Sequence, residues 1–369
     1  MTGADPRAKE YHRAKLRLLA ADLFISGAFL FFLQVSGASA FLAGWAGARG
    51  LPKTLEVLLY LSVFFNLLYL VSLPVHFYSS YRIEKKFSLS TQKLTGWIWD
   101  ALKKYFLSFV FFSALLELLY FTVERFPDAW WMLAGAGWLF ITLFLSRILP
   151  TLIIPLFYKL KALPTGELRD RLTGLLKNCR VRVLDLYEIA LSSKTKKANA
   201  ALVGIGKSRR VLLGDTLLQR FSVPEIEMVV AHEVGHHVKR HILKSLAFNL
   251  AATLLGFYLL RLLSVRIAGF LGGQGLTDLS IFPGLALLAS AAGLVLLPAQ
   301  NAFSRWMENE ADRFALATIP SKEVFVSLMN KLASQNLSDP APNPALEFLL
   351  YDHPSISRRI RRAEKQFNA

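Results

Sequence analysis

Six stretches of this chain, near residues 18–46, 54–79, 105–125, 129–158, 243–264 and 280–303, are mostly apolar. Each is at least as long as the roughly 20 residues a helix needs to cross a bilayer. Composition agrees: 54% of the 369 residues are apolar and only 19% are charged, too apolar a balance for an ordinary soluble enzyme. The first run follows a polar segment containing Arg7, Lys9, Arg13, Lys15 and Arg17. It is longer than the core of a cleaved signal peptide and reads as a retained first span.

The basic residues orient the runs. Arg82, Lys85, Lys86, Lys93, Lys103 and Lys104 separate the second from the third, and the tail carries Arg358, Arg359, Arg361 and Arg362. The alternate loops hold only Arg49 and Lys53, then Arg125, then Arg266. Both termini are therefore expected on the cytoplasmic side. The same bias accounts for a formal charge of +17 without a nucleic-acid partner, for which no recognition fold or aromatic-basic stripe is present. A lone Cys179 leaves no internal disulfide and no cysteine-based zinc site.

Four divisions follow: a membrane domain of four spans (1–159), a cytoplasmic segment (160–242), two further spans (243–303) and a helical C-terminal segment (304–369). Within 160–242, GELRDRLTGLLKNC reads as an amphipathic helix. VRVLDLYEIA and RRVLLGDTLL read as strands, with the polar SSKTKKANAALVGIGK between them. The last segment is helical apart from the Pro-rich DPAPNPA at 339–345. The two soluble pieces are expected to pack as one domain.

The chemistry is concentrated in VPEIEMVVAHEVGHHVKRHILKSLAF. Pro224 suits a first helical turn with Ser222 as its cap, and the helical pattern runs directly into the fifth span. His232 and His236 are four apart and share a face, so both imidazoles can reach one cation. Glu233 lies beside them to take a proton from water. Zinc suits two imidazoles and a carboxylate. His237 and His241 read as surface residues or as supports behind the ligands. The sixth run enters SRWMENEADRFALA, where Glu308 and Asp312 share a face and Glu310 points about 200° away. One of the pair can bind the cation while the other orients a ligating histidine; spacing does not say which.

These residues are similar to a known family. HEVGHH followed by SRWMENEAD resembles the type I CAAX prenyl proteases, membrane gluzincins. So do YRIEKKFSLSTQKLTGWIWDALKK (81–104), PLFYKLKALPTGEL (155–168), KANAALVG with RRVLLGDTLL, and DHPSISRRI (352–360). The likeness runs from about residue 55 to the C-terminus. It implies a mainly α, six-span protein enclosing a chamber, with a small α+β zinc-protease domain on the cytoplasmic side and one zinc ion per chain. It further implies Glu308 as third ligand with Asp312 behind it, and Glu233 as general base. His353 would assist the oxyanion, with Arg359 as a structural or substrate-facing partner. Asn199 and Ala200 would lie on an edge strand that a peptide joins. The implied substrate is a C-terminal peptide carrying a prenylated cysteine. Eukaryotic members have one more span, for which the N-terminus here leaves no room.

Other readings stay open at this stage. A quality-control protease for hydrophobic peptides needs no prenyl group. A site-two-type intramembrane protease would bury the two-histidine motif inside a span, whereas here it follows a soluble segment. A transporter or scaffold with a structural zinc would not need Glu233. The short form favours a bacterial cytoplasmic membrane, with the endoplasmic reticulum as the eukaryotic counterpart. Oligomeric state is not legible.

Overall fold

The computed structural model describes residues 6–368; the expected divisions 1–159 and 304–369 therefore begin and end just outside the described residues. Six helices are long and apolar enough to cross a membrane: Pro6–Val35, Lys53–Lys86, Leu94–Arg125, Trp130–Phe157, His241–Phe270 and Leu279–Thr318. Their outer faces expose large apolar side chains such as Phe24, Phe140, Val265 and Phe270. A contiguous apolar exterior of this kind suits lipid as its solvent.

Two expected span limits are corrected. The first run is not one helix: the chain turns at Gly37, whose φ of +77° favours glycine, and a short helix follows at Ala38–Gly47. Ser39 in that helix shares a 2.7 Å hydrogen bond with the Tyr60 hydroxyl, which holds the bend against the second span. The first helix also begins far earlier than residue 18. Its polar start is tied down because Tyr11 donates to Glu84 at 2.6 Å and Lys15 pairs with the same carboxylate at 3.2 Å.

The sixth helix matters most for the site. Its 40 residues at 1.5 Å each span about 60 Å, roughly twice the hydrocarbon core. Its last turns therefore leave the bilayer as one rigid rod with the membrane part and enter the soluble domain. The fourth and fifth spans pack closely, since a Cβ on Gly135 would lie 2.3 Å from a Leu254 methyl. Small residues permit such approaches in membranes.

The soluble domain contains a four-stranded sheet of β1 (Leu160–Ala162), β2 (Asp185–Ile189), β3 (Ala200–Val203) and β4 (Arg210–Gly214), in the order β1-β2-β4-β3. Only β2 and β4 run parallel. β3 was hidden within the polar stretch between the two expected strands, and β1 within the approach to the domain. β3 pairs with β4 alone, so it is an edge strand.

One hydrophobic core serves both soluble pieces. Leu172 and Leu176 of the Glu167–Asn178 helix, Leu213 of β4 and Met228 and Val234 of the motif helix meet Ala315 near the end of the sixth helix and Phe325, Leu328 and Ile360 from beyond it. Burying each large side chain contributes about 1.5–3 kcal/mol, so the C-terminal helices Lys322–Asn336 and Ile356–Asn368 are held to the sheet domain.

Candidate active site

The motif helix spans Val223–Val238. Glu225 accepts from the Ser222 backbone N–H at 2.8 Å, closing the first turn as in a capping box. The same carboxylate accepts from Ser327 and Lys331, each at 2.7 Å, fixing the helix start against the Lys322–Asn336 helix. Gly235 then sets the crossing with the sixth helix. A Cβ there would stand 3.2 Å from the Ala311 backbone and 3.1 Å from the Phe314 ring. Any larger residue would require the Ala311 backbone or the Phe314 ring to give way by a few tenths of an ångström at this crossing.

At that crossing, the Nε2 atoms of His232 and His236 lie 3.1 Å apart. They stand 3.3 and 3.1 Å, respectively, from the two Glu308 carboxylate oxygens. Ligands bound at about 2.0–2.1 Å around a tetrahedral ion lie about 3.3 Å from one another, so this spacing fits a single cation. Glu308 is only 4% exposed, and its Oε2 has no hydrogen-bond donor. A buried carboxylate oxygen without a donor is costly, and a cation at the triangle would satisfy it. His232, His236 and Glu308 could hold a metal ion.

Behind the triangle, Asp312 Oδ1 lies 2.9 Å from His232 Nδ1. Arg359 grips Asp312 through two bonds, Nε at 2.8 Å and Nη2 at 2.5 Å. Burial works against a charge on His232, but the hydrogen bond to Asp312 and the nearby Glu308 carboxylate outweigh it and push the ring up to about 9. Arg359 lies on the far side of Asp312 from the triangle and does not line the active-site cavity. Of the two expected roles for this residue, the structural one accounts for its Nε and Nη2 contacts with a buried carboxylate.

A cavity of about 950 Å³ opens over the triangle. Its walls come from the fourth, fifth and sixth spans and from the edge strand, and Asn199, Ala200, Glu233 and His353 all face it. Glu233 Oε2 is 3.4 Å from the backbone N–H of Leu202 on β3, so the carboxylate lies between the metal triangle and the free strand edge. His353 Nε2 is 3.3 Å from Glu308 Oε1, and its Nδ1 is 2.9 Å from Asp352. The Asp352 hydrogen bond outweighs desolvation and raises the His353 pKa above the usual imidazole value.

Sequence spacing missed the role of Glu310 and left His241 between a surface residue and a support behind the ligands. Glu310 does point away from the ligand face, as its angle requires, yet it meets His241 at 3.2 Å and Lys244 at 2.8 Å. His241 in turn lies 2.9 Å from His236. The helix does not run directly into the fifth span, as its pattern predicts, because Arg240 adopts φ 56° and redirects the chain. No periodic signal announces such a break.

The model of Peptidase family M48 matches residues 162–366, which include the triangle and both carboxylates behind it. The chain belongs to peptidase family M48. A second family model, described as CAAX prenyl protease N-terminal with five membrane helices, matches residues 6–159. There this M48 peptidase has four long apolar helices and the short Ala38–Gly47 helix. The uncharacterized metalloprotease YhfN of Bacillus subtilis is 30% identical over 366 residues, covering 98% of this chain and 86% of that protein. The human CAAX prenyl protease 1 homolog is 25% identical over 380 residues, covering 92% and 79%. The crystal structure of S. mikatae Ste24p superposes with a TM-score of 0.87 at 23% identity, over 97% of this chain and 88% of that one, and shares its fold. This M48 peptidase is thus a multi-pass membrane metalloprotease with a metal cofactor.

Proposed function

We propose that this peptidase uses one zinc ion per chain, held by His232, His236 and Glu308, to cut C-terminal peptides that are lipidated or otherwise hydrophobic. The observation that carries the reading is the triangle itself, floored by a donor-less buried carboxylate oxygen and flanked by a general base and a free strand edge. CAAX processing in the human relative supports a prenylated cysteine as the lipid. We further propose that residues 1–159 and 243–303 form the membrane part, with 160–242 and 304–369 as its catalytic domain. The basic loops favour a catalytic side and termini facing the cytoplasm, and the likeness to a Bacillus subtilis protein favours a bacterial cytoplasmic membrane.

An extended substrate adds to the open edge of β3 beside Asn199 and Ala200, where unpaired backbone groups are available. Its apolar portion lies between the fourth, fifth and sixth spans. Zinc, when bound, supplies Lewis acidity that brings the pKa of water toward neutrality and draws charge from the scissile carbonyl. Glu233 takes the proton of the attacking water and delivers it to the departing amine. His353, protonated more readily than a free imidazole, donates to the oxyanion that develops. Asp312 fixes the His232 tautomer, and Arg359 holds Asp312.

The test compares a peptide ending in a farnesylated CAAX sequence with its unlipidated twin, using detergent-purified protein, mass spectrometry and a Glu233→Gln control. Loss of the last three residues from the lipidated peptide alone is expected. Equal cleavage of both peptides would reject the lipid preference and favour membrane quality control.

Metal uptake carries a pH signature. Below about 9 the empty site holds a proton on His232 that a cation must displace. Apparent zinc affinity should therefore rise about tenfold per pH unit from pH 7 and level off above that value. Competition with a zinc indicator at several pH values measures it; a flat profile between pH 7 and 8 would show that His232 carries no such proton.

A further inference from the structure

His241 is a buried imidazole, 3% exposed, that the mechanism above does not use. Its Nδ1 lies 2.9 Å from Nδ1 of His236, and its Nε2 lies 3.2 Å from Glu310 Oε2. Glu310 also accepts from Lys244 at 2.8 Å. A continuous helix could not build this contact, because five residues at about 100° each carry His241 about 140° round from His236. The chain instead turns through Arg240 in the left-handed region, φ 56°, a conformation that residues with side chains seldom adopt. Strain of this sort at an active site points to a purpose. Here it returns a ring to the back of a metal ligand.

We propose that His241 and Glu310 are positioning residues that lock His236 in its metal-binding tautomer. If His236 binds a cation through Nε2, its one proton must sit on Nδ1. That N–H donates to His241 Nδ1, which must then be bare, so the proton of His241 is on Nε2 and donates to Glu310. Lys244 balances the Glu310 charge while its ammonium rests 4.3 Å over the Trp306 ring. Reversing the chain of donors would place the His236 proton on Nε2, where the cation must bind. His232 reaches the same tautomer by a shorter route, with Asp312 directly on its Nδ1. The relay ties His236 to both helices that leave the membrane at the site: His241 and Lys244 on the fifth span, Glu310 on the sixth.

The proposal rests on His236 being a metal ligand, and the experiment separates the two claims. Zinc affinity of the full chain in detergent is measured by competition with a chromophoric chelator, alongside peptidase rate at saturating zinc. His241→Phe keeps a ring but removes both nitrogens, and should weaken zinc binding 10–100-fold. His241→Asn retains an acceptor where Nδ1 stands, and should recover most of that loss. Glu310→Gln still accepts from Nε2 but lacks the charge, and should fall between wild type and His241→Phe. His236→Ala should abolish tight binding. Wild-type affinity in His241→Phe, or equal loss in the Phe and Asn variants, would overturn the relay and leave the metal site standing. Tight zinc binding by His236→Ala would overturn the site reading itself. If His241→Phe does not fold, Glu310→Gln decides, and wild-type affinity there rejects the relay.

Discussion

Replacing Glu233 by Gln is expected to leave zinc in place and to lower peptide hydrolysis by about 10²–10⁴-fold, the usual contribution of a positioned general base. The substitution is nearly isosteric. Its carbonyl oxygen can still accept from the Leu202 N–H, now 3.4 Å from the carboxylate, so the strand edge keeps its place. What disappears is a group able to take a proton from water and return it to the amine. Metal content by mass spectrometry and turnover of a fluorogenic peptide, measured on the same preparation, distinguish the outcomes. Activity within tenfold of wild type would remove Glu233 from the proton path. Loss of zinc together with activity would instead make it part of the metal's support.

The second large effect is expected at Arg359. Its guanidinium and the Asp312 carboxylate are each about one-tenth exposed, and they are joined by two hydrogen bonds. Arg359→Met leaves Asp312 buried without its cation, and removing one partner of such a pair costs about 3–5 kcal/mol. Asp312 would also lose its anchor, so His232 would be held less firmly and zinc affinity should fall 10–100-fold. Adding Asp312→Asn removes the stranded charge. The double variant should regain most of the thermal stability yet remain weak in zinc, because an amide orients His232 less well than a carboxylate does. An Arg359→Met protein that melts like wild type would sink the account. Arg359→Lys should rescue only in part, since an ammonium cannot reproduce the two-pronged grip.

Local pattern revealed a good deal of this protein. Six apolar runs specified six spans because backbone groups in hydrocarbon must bond within their own segment. The four-residue spacing of His232 and His236 put both rings on one face, and β2 and β4 were legible as apolar runs. Boundaries were less so: Gly37 splits the first run, and Arg240 ends the motif helix where apolar periodicity continues. Both are backbone turns with positive φ, which hydropathy does not register.

Tertiary structure decided the rest. Glu308 and Asp312 are equivalent by spacing; the crossing at Gly235 turns Glu308 onto the histidine nitrogens, while the C-terminal helix delivers Arg359 to Asp312. β3 reads as a polar segment in the chain and becomes an edge only through its place in the sheet order. Glu310 and His241 are 69 residues apart and meet because two spans leave the membrane side by side. The sequence by itself determined the spans and the pair of imidazoles, since length and periodicity act within a few turns of helix. Which carboxylate meets the two imidazoles, and what braces each ring, depended on side chains distant in sequence converging where rigid helices cross.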